Sequence, residues 1–329
     1  MSSSDKHSTF EVSADANAPV CAICGGKVAT RWLELARDYV TGDPFSVWRC
    51  GVCDVAVTVP RPASLDRYYV AQYRRYTPFT VSILRWLYRR RADAWVRTLG
   101  APGIILEIGC GEGWMLAALR EKGWRVVGVE RTFDAVRPTR GERPLPVFVG
   151  SLDAVAPGRQ FDAIVLFQVL EHLATPMEAL SRCAALLKPG GTLILGVPNA
   201  RSWQARLFGA DWFHLDVPRH LFHFSPQALA WALRAAGLRP HPPTFASFEH
   251  DPYGWVQSLL NRLGFEQNLL TKAMMGSVGA RRSRVGLVAM SCLAAVLAVP
   301  SILAAVCSWT ASAGAVMEIR ARKPVETPT

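Results

Sequence analysis

The amino-acid sequence predicts an α/β fold, in which a mainly parallel sheet is covered by helices on both faces. Its central part alternates short apolar runs, each about as long as a buried strand, with segments of helical periodicity. A glycine-rich turn follows the first apolar run and leads into the first helical segment. Such strand–helix alternation is typical of Rossmann-like sheets. The length of 329 residues leaves room for about two domains.

Each element of this fold can be placed on the sequence. Strands are predicted at residues 104–109, 125–130, 147–150, 161–167 and 191–197, and a last strand at 314–323. Helices are predicted between them at residues 113–123, 169–191 and 225–237. Before the first strand, residues 82–99 form an amphipathic helical pattern. Its basic face includes Arg89 and Asp93 at the spacing of an i,i+4 ion pair.

Composition narrows the set of possible partners. The formal net charge is +11, and half of the residues are hydrophobic. A positive excess favours nucleic acid, an anionic membrane surface or an acidic substrate. Residues 1–19 are polar and contain no apolar core, so they predict a disordered tail and no secretory signal. We therefore expect a cytoplasmic protein.

Four of the eight cysteines form two Cys-x-x-Cys pairs, Cys21 with Cys24 and Cys50 with Cys53. Four thiolates in two such turns suit a tetrahedral Zn²⁺ and resemble a zinc ribbon at residues 20–60. A redox pair is the alternative, but two pairs without a thioredoxin-like context disfavour it. The other cysteines lie among apolar residues and are predicted to be buried in the core: Cys110, Cys183, Cys292 and Cys307.

The glycine-rich turn contains Glu107, Gly109, Gly111 and Gly113 at alternate positions. Glycines allow the backbone to turn sharply and to approach a ligand, while the following helix presents its N-terminus. A nicotinamide-binding turn has the spacing G-x-G-x-x-G, and here the third glycine comes one residue early. This spacing, with a carboxylate two residues before the first glycine, resembles the class I S-adenosylmethionine-dependent methyltransferases.

The resemblance extends over residues 104–238 and implies a cofactor site. Glu107 and the turn would hold the methionine end of S-adenosylmethionine, and Glu130 would accept both ribose hydroxyls. Ser151 and Leu152 would contact the adenine, and the end of the fourth strand would lie beside the sulfonium. The predicted cofactor-binding residues are Glu107, Gly109, Cys110, Gly111, Gly113, Glu130, Ser151, Leu152, Phe167 and Gln168.

The methyl acceptor is less constrained by the sequence. Amino-group methyltransferases often carry Asn/Asp-Pro-Pro-Tyr after the fourth strand, whereas residues 166–169 read LFQV, which favours an oxygen or carbon acceptor. A hydroxyl acceptor needs a general base, and His220 is the first candidate and His172 the second. Arg219 is expected to contact an anion. A structural role for each histidine is the alternative.

The loop at residues 212–225, which contains His220, resembles one branch of bacterial methyltransferases that act on small molecules, quinones or saccharides. A zinc ribbon before such a domain also occurs in ribosomal RNA methyltransferases, where it grips RNA. The sequence therefore favours a small-molecule, lipid or saccharide acceptor. An RNA methyltransferase and a non-catalytic binding protein on the same fold remain alternatives. The oligomeric state is not predicted.

Residues 285–309 are apolar and long enough to span a bilayer as a helix. Basic residues flank both ends, which favours keeping both ends on the cytoplasmic side. Pro300 could supply the bend of a helical hairpin, associated with the inner face of the cell membrane. An apolar helix pair packed on the protein or at a dimer interface, and a single membrane span, are the alternatives.

The predicted organisation has five segments. They are a tail at 1–19, a zinc ribbon at 20–60, a basic helical cover at 61–100, a cofactor-binding core at 101–240, and C-terminal strands with the apolar hairpin at 241–329.

Overall fold

The computed structural model describes residues 20–69, 78–131, 144–156, 158–274 and 284–325. The predicted tail at 1–19 and the basic residues Arg281 and Arg282 lie outside the described residues. The strands are β1 Val28–Arg37, β2 Pro44–Cys50, β3 Ala56–Val59, β4 Ile104–Ile108, β5 Arg125–Glu130, β6 Val147–Val149, β7 Phe161–Phe167, β8 Leu187–Pro198, β9 Phe222–His223, β10 Arg239–Pro240 and β11 Val316–Arg322. The helices are α1 Pro78–Leu99, α2 Trp114–Glu121, α3 Pro176–Leu186, α4 Trp203–Phe208, α5 Pro226–Ala235, α6 Asp251–Arg262, α7 Leu269–Met274 and α8 Arg284–Thr310.

The larger sheet of the described residues has seven strands in the order β10-β11-β8-β7-β4-β5-β6. Strands β4 to β8 run parallel, and β11 runs antiparallel to both β8 and β10. Ile164, Val165 and Leu166 are fully buried in the central strand β7 because hydrophobic clusters cover both faces of the sheet. The predicted Rossmann-like fold and its antiparallel last strand are confirmed.

Helix α1 covers one face of this sheet. Its Ala92 and Trp95 are fully buried in a cluster with side chains of α2. The predicted i,i+4 pair within α1 is wrong, because the charges of the neighbouring helix are better placed. Arg89 binds Glu121, with Nη2 at 2.9 Å from Oε1, and Asp93 binds Lys122. Both ion pairs therefore join α1 to α2 or to the residue after it.

The smaller sheet has the order β1-β2-β3-β9. Strands β1 to β3 lie within the segment that carries the four paired cysteines, whereas β9 lies in the histidine-containing loop far along the chain. Ala56 pairs with His223 and Val57 with Phe222. The cysteine-containing segment and the loop after β8 therefore share one sheet. The sequence analysis had assigned them to two separate segments.

The predicted helical hairpin at residues 285–309 is wrong. Helix α8 is one continuous helix of 27 residues with Pro300 inside it. A proline removes a single backbone donor, and long apolar helices accommodate this loss when neighbouring groups compensate. By length and composition Gly286–Thr310, with a mean hydropathy of 2.4, is the one helix among the described residues that could cross a membrane.

The C-terminal end of α8 is held by one buried carboxylate. Asp251, at the start of α6, accepts hydrogen bonds from Trp309 Nε1, from the backbone N–H of Ala315 and from that of Val316. The same side chain thus joins α6, the end of α8 and the beginning of β11. Since β11 belongs to the central sheet, this end of α8 is fixed to the body of the protein.

Candidate active site

The turn after β4 lies at the carboxyl edge of the parallel strands, where open α/β sheets bind ligands. Gly109 and Gly111 have φ angles of +68° and +52°, which favour glycine. A Cβ atom at Gly109 would lie 2.5 Å from Val169 Cγ2, whereas one at Gly111 would meet nothing within 4 Å. The turn therefore packs against the end of β7 on one side and is open on the other.

Two acidic side chains flank this turn. Glu130 accepts hydrogen bonds from the backbone N–H groups of Gly111, at 2.9 Å, and Arg131, at 2.8 Å. Glu107 is buried, and its Oε2 has no hydrogen-bond partner among the described residues. Burial, with a smaller effect of the Glu130 charge, raises the pKa of Glu107 to about 8. An unpartnered buried carboxyl beside an open turn fits a ligand with a cationic group.

The other predicted cofactor residues surround the same edge. Gln168 has a φ of +57°, and its buried Nε2 lacks a partner among the described residues. The ring of Phe167 contacts the rings of Trp95 and His250. Cys110 and Leu152 are buried, and the Ser151 hydroxyl accepts a hydrogen bond from the backbone of Asp153.

Two histidines meet close to the end of β7. The predicted helix at 169–191 begins only at Pro176, and a 3-10 turn at Leu170–His172 precedes it. The rings of His172 and His220 have centroids 4.6 Å apart. Nδ1 of His220 lies 2.9 Å from the carbonyl oxygen of His214, to which it can only donate. This contact leaves Nε2 as the basic atom of the neutral His220 ring.

Glu171 completes this group, and the sequence analysis did not identify it. Its carboxyl is buried, and neither oxygen has a hydrogen-bond partner among the described residues. His220 Nε2 lies 4.0 Å from Glu171 Oε1 and 3.9 Å from Asp216 Oδ2. One ligand atom from each of Glu171, His172 and His220 lies within 4.8 Å of the others, a spacing that could hold a metal ion. In the sequence, Glu171 is a charged residue within an apolar stretch, and this pattern could have identified it.

Burial shifts the pKa values of Glu171, of His220 and of His214. It lowers the pKa of His220 well below 6.5 and that of His214 to about 3, and it raises the pKa of Glu171 to about 8. The imidazole of His220 is therefore neutral at pH 7. A neutral imidazole whose Nδ1 proton is already engaged can accept a proton at Nε2.

Arg219 does not have the role that the sequence suggested. Its guanidinium is 4% exposed and binds Asp38 at 2.8 Å and Asp216 at 2.7 Å, and it also donates to the carbonyl oxygen of Tyr68. Its donors are directed at these groups of the protein. Arg219 therefore holds the histidine loop against the segment after β1 and is not available as an anion contact.

The four paired cysteines converge at one point. The Sγ atoms of Cys21 and Cys53 lie 3.6 Å apart, and those of Cys24 and Cys50 lie 3.5 Å apart. Ligand atoms of all four lie within 4.8 Å of one another. Thiolates at about 2.3 Å from a tetrahedral Zn²⁺ lie about 3.8 Å from each other. The cluster therefore has dimensions suited to zinc.

Backbone pairing connects this cluster with the histidines. Thr58, in β3, donates its hydroxyl to the carbonyl oxygen of His220 at 2.7 Å and lies 3.0 Å from His223 Nε2. Its backbone N–H donates to the carbonyl oxygen of Leu221 at 3.1 Å. The strand that follows the second cysteine pair thus fixes the position of His220.

Comparisons with known proteins identify a methyltransferase domain in this chain. A family model described as a methyltransferase domain matches residues 83–242. The chain is 31% identical over 183 residues to a ubiquinone biosynthesis O-methyltransferase of Cereibacter sphaeroides, covering 50% of this chain and 73% of that protein. It is also 31% identical over 164 residues to the protein so described in Xanthomonas campestris, covering 45% of this chain and 68% of that protein. A solved structure of a SAM dependent methyltransferase from Archaeoglobus fulgidus aligns with a TM-score of 0.47 and 19% identity, covering 75% of this chain and 100% of that one.

The role of Arg219 can be tested by stability. We expect Arg219→Met to lower the free energy of unfolding by about 3–5 kcal/mol, because the buried carboxylate of Asp38 and the partly buried one of Asp216 would lose their partner. Urea denaturation measures this change. As a control, Arg262→Met removes an exposed pair with Asp211 and should cost less than about 1 kcal/mol. An Arg219→Met protein as stable as the wild type would contradict the structural role.

Proposed function

The chain belongs to the class I S-adenosylmethionine-dependent methyltransferases, and from this premise we propose that it methylates an oxygen, or a carbon, of a small molecule, lipid or saccharide. The observation that carries the proposal is the neutral, buried His220 beside the end of β7, with its Nδ1 proton engaged by the His214 carbonyl. The two relatives described as ubiquinone biosynthesis O-methyltransferases support an oxygen acceptor.

We propose that the turn after β4 holds the cofactor. Glu107 would receive the ammonium group of the methionine end, and Glu130 would accept the ribose hydroxyls. Ser151 and Leu152 would lie at the adenine, and Phe167 and Gln168 at the sulfonium. The unpartnered Oε2 of Glu107 supports this assignment, because a buried carboxyl without a partner is costly unless a ligand satisfies it. S-adenosylmethionine, when bound, supplies a methyl group on a cationic sulfur.

Cofactor binding should be linked to proton release. With a pKa of about 8, Glu107 is protonated in the free protein at neutral pH and must lose this proton to bind an ammonium group. The dissociation constant should therefore rise about tenfold for each pH unit from pH 8 down to pH 6. Calorimetry in buffers with different ionisation enthalpies measures the released proton.

The variants for this test are Glu107→Gln and, as a control, Glu121→Gln on the exposed surface of α2. Glu107→Gln should bind S-adenosylmethionine weakly and without pH dependence, whereas Glu121→Gln should behave as the wild type. Wild-type binding that is constant between pH 6 and pH 8 would rule out this role for Glu107.

The proposed reaction needs little more than positioning and a base. The acceptor hydroxyl would give its proton to His220 Nε2 while its oxygen forms a bond to the methyl carbon. The methyl group would come from the sulfonium beside Phe167 and Gln168, and the electron pair of the broken carbon–sulfur bond would remain on sulfur as a neutral thioether. His172, whose Nδ1 lies 2.9 Å from the carbonyl oxygen of Arg219, would keep the His220 ring in place through their ring contact.

Removal of the base tests this reaction. We expect His220→Gln to reduce methyl transfer about 10²–10⁴-fold while leaving S-adenosylmethionine binding unchanged. Transfer of a labelled methyl group to a metabolite or membrane extract measures the rate. His241→Gln, on the surface, is the control. Because the pKa of His220 lies well below 6.5, wild-type activity measured at saturating S-adenosylmethionine should persist down to pH 6.5 and decrease only in more acidic solution.

A His220→Gln protein with normal turnover would exclude the base assignment. Absence of any labelled product with the wild type would favour a non-catalytic role. Label recovered in RNA would favour the alternative of an RNA methyltransferase.

One observation favours that alternative. A cleft of about 560 Å³ beside the cysteine cluster is lined by Arg31, Arg49 and Arg201 together with Trp32. However, Arg49 and Arg201 both bind Asp54, so much of this positive charge is already paired. RNA binding would depend steeply on salt concentration, because each phosphate contact releases counterions. A small molecule, lipid or saccharide therefore remains the proposed acceptor.

We further propose that the four cysteines bind a structural Zn²⁺ that supports the active site from a distance. Loss of the metal should loosen β3, and with it the position of His220, while leaving the turn after β4 intact. Cys24→Ser should therefore lose zinc and reduce methyl transfer at least tenfold but still bind S-adenosylmethionine. Metal analysis, activity and calorimetry measure the three properties. Cys292→Ser, on the exposed side of α8, is the control. A zinc-free Cys24→Ser protein with full activity would contradict the proposal.

We also propose that the enzyme works at the cytoplasmic face of a membrane. The support is the apolar helix α8. In its most apolar stretch, only 11% of the residues are buried within the protein.

A further inference from the structure

Helix α8 is apolar on all sides, yet the protein covers only one of its faces. The inner face packs against α6, and Met290, Ser301, Ala305 and Ser308 are buried there. On the outer face, apolar side chains recur every three or four residues and remain exposed, with Val296 72% exposed. The large ones are Val288, Val296, Val299, Ile302, Leu303 and Val306. A helix that is apolar all round is normally covered on all sides.

The packing of α8 argues against a membrane crossing. Its inner face contacts α6 along both halves, through clusters that contain Met290 at one end and Ala305 at the other. Asp251 fixes its C-terminal end to the start of α6, and β11 follows directly within the central sheet. A helix that crossed a bilayer would carry these polar elements into the hydrocarbon. The outer face can therefore enter a membrane only with the helix axis in the membrane plane.

A second helix extends the exposed apolar surface. Trp203, Arg206 and Leu207 are exposed on one face of α4 and, with Trp255 of α6, line a shallow cavity of about 410 Å³. Trp255 also packs in one cluster with Ala305 of α8. On α4 the aromatic ring and the arginine lie next to the aliphatic Leu207. Tryptophan and arginine with apolar neighbours are typical of a membrane–water interface.

We propose that the outer face of α8 and the exposed face of α4 form one docking surface that lies in the plane of a lipid bilayer. This inference rests on the proposed membrane location and adds the docking mode, the second helix and the orientation of the active site. A bilayer fits better than a second copy of the chain, because residues 285–317 contain no charged side chain. Helices that pair with a copy usually carry charged residues beside the apolar seam.

The docking surface lies next to the candidate active site. Phe248 is exposed and contacts the ring of Trp309 at the end of α8, with centroids 4.6 Å apart. Two residues along the chain, His250 contacts Phe167 at the end of β7, with centroids 5.8 Å apart. Two residues span at most about 7 Å. Docking would therefore bring the acceptor side of the site to the lipid surface, which suits an apolar acceptor dissolved in the bilayer.

The test uses the full chain and vesicles of phosphatidylcholine with phosphatidylglycerol. We expect the wild type to float with the vesicles and the variant Val296→Glu/Leu303→Glu to lose at least nine-tenths of this binding. Leu35→Glu/Val40→Glu, two exposed apolar residues at the end of β1 and in the turn after it, is the matched control and should float normally. Trp203→Ala should weaken binding about tenfold or less. Equal S-adenosylmethionine binding by the wild type and the three variants verifies that they are folded.

The native cysteines of α8 report the docking mode. The predicted burial of Cys292 and Cys307 in the core is wrong, because both are exposed in α8, whereas the other six cysteines are buried or partly buried. A bimane label on either thiol should be quenched on vesicle binding by a nitroxide near the glycerol backbone and less by one at the bilayer centre. Quenching at the centre would indicate a crossing helix and overturn the proposal. A wild type that does not float, or a vesicle-free dimer that the double variant dissociates, would also overturn it.

Activity measurements distinguish a failure of the docking surface from a failure of the proposed function. The double variant should methylate a detergent-dispersed acceptor at the wild-type rate and a vesicle-embedded acceptor at least tenfold more slowly. Equal rates on both acceptors would contradict the docking surface. Normal vesicle binding by a wild type that methylates neither would contradict the proposed function alone.

Discussion

The pairing of β3 with β9 is the constraint on which the candidate active site depends. Through it, the sheet that carries the four cysteines ends on the loop that carries His220 and His223. Thr58 adds a hydrogen bond to the carbonyl of His220, and the buried Arg219 holds the same loop to Asp38. The backbone of this loop is fixed by partners that lie more than 150 residues earlier in the chain.

Among the buried charged side chains named here, carboxyls without a hydrogen-bond partner mark the candidate site. Arg219 and Asp251 are buried charged side chains, and each is bound by several protein groups. Glu107 and Glu171 are also buried, yet at least one oxygen of each lacks a partner among the described residues. Because an unpartnered buried carboxyl costs about 1–3 kcal/mol or more, such a group persists only where another function compensates for it. Both lie at the carboxyl edge of the sheet, where a ligand would supply the missing contacts.

Helix α8 shows how one apolar sequence can serve two environments. Its inner face contributes to the hydrophobic core with α6, and its outer face remains exposed. Hydropathy averages both faces and therefore predicts a membrane span. The fixed C-terminal end, through Asp251 and β11, limits the helix to the surface of the protein. In the proposed docking, the apolar composition would set the affinity for a lipid phase, and the packing would set the orientation.

Elements whose signals are local could be predicted from the sequence alone. Apolar runs predicted β4, β5, β7 and β8, since central parallel strands are buried on both faces, and the glycine spacing with Glu107 and Glu130 identified the methyltransferase fold. Which of the loop residues meet could be seen only in the folded protein. The fold brought His172, His220 and Glu171 together, assigned Arg219 to an internal ion pair, and kept α8 continuous through Pro300. These outcomes depend on contacts between residues distant in the chain, and no local pattern encodes such contacts.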